Sequence, residues 1–114
     1  MNDSDKLIKA ADQIYKRYTD FYGYDLINGC EFLIAEEIAK ATGARIKIGE
    51  LQGDDINDRT HCWCVLNGVV LDPIFNHLRN SIHNIRRKEI ELEEGSLPLP
   101  QFEALVERYR VYQV

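Results

Sequence analysis

The dipeptide Asn67-Gly68 constrains this chain more than any other feature. It separates two β-favouring apolar runs, residues 61–66 and 69–74. A two-residue connection of this kind needs positive φ at both positions, the type I′ turn that Asn-Gly adopts most readily. An antiparallel hairpin follows, and with it a register in which Val65 faces Val70, Trp63 faces Asp72 and His61 faces Ile74. Residues two apart on a strand share a face, so His61 and Trp63 project to one side, with Asp72 beside Trp63 and diagonal to His61. Diagonal backbones lie about 7–8 Å apart, a gap that side chains span. The hairpin therefore brings an imidazole and a carboxylate together. Cys62 and Cys64 point to the opposite face and are expected to be packing residues.

Around this hairpin the apolar spacing changes period. Leu7, Ala11, Ile14, Tyr15, Tyr18 and Tyr22 recur at helical intervals after the cap candidates Asp3, Ser4 and Asp5, predicting a helix over about residues 4–20. Cys30, Leu33, Ile34, Ile38 and Ala39 predict a second, largely buried helix over residues 30–42, with Gly43 placed for a left-handed C-terminal cap. Residues 44–51 alternate as a half-buried strand, and 53–60 read as a polar loop. Residues 77–94 carry Arg86-Arg87-Lys88 followed by four glutamates, a mixture of signs that reads as a solvated face. A final amphipathic helix is expected over about residues 101–110, carrying Phe102, Leu105, Val106 and Tyr109.

Size and charge limit the function. With 114 residues, 45% of them hydrophobic and 29% charged, the chain is expected to form one domain, residues 1–114, of the α+β class. Nineteen acidic against fourteen basic side chains give a net charge of −5, the wrong sign for holding nucleic acid through its phosphates. No run of about 20 apolar residues is present to span a bilayer. Three cysteines and no leader-like start fit a reducing, cytoplasmic setting; a secreted form with its leader removed, or one delivered into another cell, has the same sequence. His61, Cys62, Cys64 and His77 could suggest zinc, but ligands on opposite faces of one strand do not converge and no Cys-x-x-Cys is present. No metal or cofactor is expected.

Cys30 follows Asn28-Gly29 and opens a helix, where unpaired backbone N–H groups and the positive dipole end favour a thiolate. A nucleophilic cysteine needs a base to take its proton, and the base needs a group to hold its tautomer. Cys30, His61 and Asp72 supply those roles, with His77 the reserve base and His83 a surface residue. The backbone N–H of Cys30 would hold the oxyanion, and Gln13, Tyr24, Asn28 and Gln52 are candidates for a second donor. Trp63, beside the base, is a further candidate for substrate or oxyanion contact, and Tyr22 and Tyr24 could wall a substrate cleft.

These segments together resemble the transglutaminase-like superfamily of papain-like cysteine enzymes. The matching stretches are Asn28-Gly29-Cys30-Glu31-Phe32-Leu33-Ile34-Ala35, Thr42-Gly43-Ala44-Arg45-Ile46, His61-Cys62-Trp63-Cys64-Val65 and Gly68-Val69-Val70-Leu71-Asp72-Pro73. The resemblance covers about residues 28–75. It implies N-terminal helices packed on a small antiparallel sheet, with Cys30 as nucleophile at a helix start, His61 as general base and acid, and Asp72 as orienting carboxylate. The spacings of 31 residues from Cys30 to His61 and 11 from His61 to Asp72 are compact, closer to small bacterial peptidases of this superfamily than to protein-crosslinking enzymes. The implied activity is that of a peptidase, amidase or deamidase acting on a peptide or protein through a thioester. A non-catalytic protein-binding or inhibitor domain that retains the fold is the alternative.

Overall fold

A computed structural model describes residues 3–23, 30–54, 59–90 and 99–113. Helix α1 spans Asp3–Tyr22 and buries Ala11 and Ile14. It ends where Gly23 turns to φ +77° and its N–H reaches the carbonyl of Thr19. Helix α2, Glu31–Thr42, begins after Cys30 and ends at Gly43, whose φ of +78° lets its N–H bond the carbonyl of Ala39. The sequence places both helices to within two residues, because glycine supplies the left-handed stop at each end.

Strands β1 (Arg45–Gln52) and β2 (Arg59–Leu66) pair antiparallel from Arg45 with Val65 to Leu51 with Arg59. The β2 turn to β3 (Val69–Leu71) has φ +50° at Asn67 and +79° at Gly68, the expected type I′ signs. The expected register holds for Val65 with Val70, and Cys64 pairs with Leu71.

The ladder stops there. Asp72 does not pair with Trp63, nor Ile74 with His61; helix α3, Pro73–Leu78, begins instead. Pro73 has no N–H to give a ladder and its fixed φ suits a first helical turn, while the Asp72 side chain caps that turn. The expected strand over 69–74 is thus half strand and half helix.

Of the charged run, residues 77–90 are described and Glu91, Glu93 and Glu94 lie outside the described residues; the side chains of Arg86, Lys88 and Glu89 are exposed, as expected of a solvated face, but their backbone is a strand. This strand, β4 (Arg86–Glu89), pairs antiparallel with β1 from Gly49 with Glu89 to Gln52 with Arg86. Helix α4, Leu99–Gln113, completes an α+β fold with strand order β3-β2-β1-β4.

Cross-strand partners share a face, so Ile46, Ile48, Cys62, Cys64 and Leu71 form one apolar surface. It packs with Ala11, Ile14, Ile34, Ala35 and Ile38 of the first two helices, and Leu105 and Tyr109 of α4 close over it. Each fully buried aliphatic side chain contributes about 1.5–3 kcal/mol. His61, Trp63, Gly49, Leu51 and Arg87 occupy the other face. Among the described residues, no helix is long and apolar enough to cross a membrane.

Candidate active site

The reverse face of the sheet assembles a polar cluster around His61. The ring is fully buried and stacks on Trp63 with centroids 5.8 Å apart. Trp63 in turn lies over Gly49, where a Cβ would meet the tip of the indole at 2.7 Å. The absence of a side chain at Gly49 is what admits the indole.

Asp72 joins this cluster from the end of β3. Its Oδ1 accepts the N–H of Phe75 at 3.1 Å, the cap of α3. Its Oδ2 meets His61 Nε2 at 2.8 Å and accepts a bond from Arg87 Nη1 at 3.2 Å. The diagonal contact between His61 and Asp72 anticipated from the hairpin is therefore made, although by a helix cap rather than by continued strand pairing.

The remaining ring nitrogen, His61 Nδ1, is buried and has no hydrogen-bond partner among the described residues. When Nε2–H donates to the Asp72 carboxylate, Nδ1 carries the bare lone pair. A buried acceptor in this state is costly unless something approaches to use it.

Arg87 escaped the sequence reading. Its guanidinium lies over the Phe75 ring at 4.1 Å and is 5.9 Å from the centroid of Trp63. A strand made of Arg86-Arg87-Lys88-Glu89 has no apolar alternation to announce it. Its only hint is the pair Ile85 and Ile90 that brackets the charges.

Cys30 stands half-buried at the N-cap of α2, with φ −108° and ψ 4°, and its carbonyl accepts the N–H of Ile34 at 2.9 Å. Its thiol is not hydrogen-bonded to His61 Nδ1. Two neighbours locate this helix start. Glu31 is close enough to Cys62 to act on its ionisation, and Cys30 is among the charges acting on Tyr18. Burial, the 3.0 Å bond to Glu37 and those charges push the Tyr18 phenol up to about 12. A cleft of about 330 Å³ lined by Arg17, Tyr18, Phe21, Tyr22 and Glu37 opens on this side of α1. Because β3 pairs with Cys64, Val65 and Leu66, the His61 half of β2 has no sheet partner on that side among the described residues.

The other candidates divide. Trp63 is at the site, whereas Tyr24 and Asn28 lie outside the described residues. Gln13 lines a separate cleft with Ala10, Ile14 and Ala41, and Gln52 donates to Glu50. His77 is exposed on α3 with its ring 6.2 Å from that of Tyr15, and His83 is exposed. Among the described residues, no three His, Cys, Asp or Glu side chains are grouped to hold a metal ion.

Cys62 and Cys64 face the core, and Cys64 Sγ–H donates to the carbonyl of Ala35 at 3.1 Å. Burial pushes both thiols up to about 12. An unfolded chain releases these protons near pH 8.5–9, so their contribution to stability is intact below about pH 9 and is lost as pH rises from there towards 12. The urea midpoint is expected to fall between pH 8 and pH 10.5, and to fall less in a chain carrying Cys62→Ala and Cys64→Ala. An equal fall in both chains would remove these thiols as the cause.

Comparison of the chain with protein-family models, curated proteins and solved structures finds no match.

Proposed function

We propose that this chain is a cysteine-dependent acyl-transfer enzyme of the transglutaminase-like, papain-like kind, acting on an amide of a peptide or protein. The observation that carries this reading is the buried His61–Asp72 pair, whose one uncommitted ring nitrogen is a base with nothing yet to deprotonate. Cys30 is the nucleophile, standing at the N-cap of α2 beside the backbone N–H groups of the first helical turn.

In the reaction the Cys30 S–H bond breaks and its proton passes to Nδ1. The sulfur attacks the amide carbonyl, and the backbone N–H groups at the start of α2 stabilise the oxyanion. The imidazolium returns the proton to the departing amine or ammonia, leaving a thioester that water discharges by the same route in reverse. Asp72 holds the ring and balances the imidazolium. Thiol and imidazole must close to hydrogen-bond distance in the substrate complex, a tightening common in cysteine and serine enzymes.

The missing bond from Cys30 to Nδ1 favours one other reading, a binding domain that keeps the fold without the reaction. Alkylation decides between them. At pH 6, iodoacetamide is expected to modify Cys30 in the parent chain about 100-fold faster than in His61→Gln, matching the lower end of general-base effects. Equal rates in the two folded chains would leave only the binding domain.

A further inference from the structure

Arg87 shares a single oxygen with the base. Its Nη1 and His61 Nε2 both meet Asp72 Oδ2, at 3.2 and 2.8 Å, and the Asp72 side chain is 2% exposed against 24% for that of Arg87. The guanidinium is held in place by the Phe75 ring at 4.1 Å. Among the described side chains, the other charged groups near the ring are compensated or lie elsewhere. Lys47 and Glu89, on the same sheet face, pair with each other at 3.4 Å. Glu31 lies on the α2 side near Cys62, and His77 is exposed on α3.

We infer that Arg87 is a positioning residue that keeps His61 singly protonated, with Nδ1 bare, by cancelling the charge of Asp72. This rests on the role proposed for His61. A carboxylate alone would draw a second proton onto the neighbouring ring from solvent, and the base would be spent before Cys30 could use it. With Arg87 beside it the carboxylate is neutralised, and a second proton would leave a net positive charge in a buried site. Transfer of the thiol proton is different: thiolate and imidazolium form together and the site stays neutral. The Arg87 cation beside Asp72 thus selects the proton of Cys30 over a proton from water.

The test is ¹⁵N NMR of the His61 ring, in a Cys30→Ser background so that the result is independent of the nucleophile. At pH 7 the parent ring is expected to carry one proton, on Nε2. In Arg87→Gln the pH at which the ring gains its second proton is expected to rise by about one pH unit, the low end for loss of a neighbouring charge, since Arg87 is partly screened by solvent. Arg87→Lys restores the charge and is expected to bring the transition back. An unmoved or lowered transition in folded Arg87→Gln, or an equal rise in Arg87→Lys, overturns the inference. Should Arg87→Gln not fold, Arg87→Lys decides alone: an unmoved transition supports the role and a rise of one pH unit refutes it. Failure of the nucleophile reading appears separately, in the alkylation comparison.

Discussion

Asp72→Ala is expected to cost the folded chain about 3–5 kcal/mol, the range for removing one partner of a buried charged pair. The carboxylate is buried and accepts three bonds: from the backbone of Phe75, from His61 and from Arg87. Alanine leaves all three donors without an acceptor, and the lost cap alone accounts for about 1 kcal/mol. Asp72→Asn separates the structural part from the chemical part. An asparagine oxygen can still cap α3, but its amide N–H₂ then faces Nε2, which must become an acceptor and send the ring proton to Nδ1. Stability should fall less than with alanine while Cys30 alkylation falls as far as in His61→Gln. Urea unfolding and the alkylation rate measure the two parts, and a loss under about 1 kcal/mol for alanine would mean that water reaches the cluster freely.

Gly49→Ala is the second large effect, with an expected cost of about 3 kcal/mol, the upper part of the range for overpacking. A Cβ there would lie 2.1 Å from the carbonyl oxygen of Lys88 and 2.7 Å from the indole of Trp63. The first contact is backbone of a paired strand, so relief requires β4 to move, and β4 carries Arg87. The second requires the indole to leave its stack on His61. Urea unfolding with Trp63 fluorescence as the probe should therefore report both a lower midpoint and an altered native signal. A variant within about 0.5 kcal/mol of the parent, the ordinary range for an innocuous surface change, would contradict the packing.

What could be read ahead of the structure was local. Gly43 marks the end of α2, and Asn67-Gly68 sets a register that puts Asp72 near His61. Beyond Leu71 the apolar spacing continues through Asp72-Pro73-Ile74, but Asp72 caps a helix and Pro73 has no N–H for the ladder, so the strand ends there. β4 was illegible for a different reason. Its side chains are charged and mostly exposed, and its place depends on pairing with β1 some 40 residues earlier. Arg87 went with it, since no local pattern tells which of three adjacent basic residues turns inward. The role of Cys30 rests on its position at a helix start, and the orphaned Nδ1 of His61 is a fact only the fold supplies.

The turn at Asn67-Gly68 also bears on the chain entropy of building the site. His61 and Asp72 are 11 residues apart, and the capped Phe75 three further on, so imidazole, carboxylate and cap are gathered by closing one short loop. The contact of Gly49 with Glu89 that brings in β4 closes 40 residues. Closure entropy grows as the logarithm of length, so the longer closure costs roughly 1 kcal/mol more than the shorter. The pair on which the proposed chemistry depends is thus gathered at the smaller entropic cost, and Arg87 joins it across a loop of 15 residues, while the β1–β4 pairing that holds its strand spans the longer one.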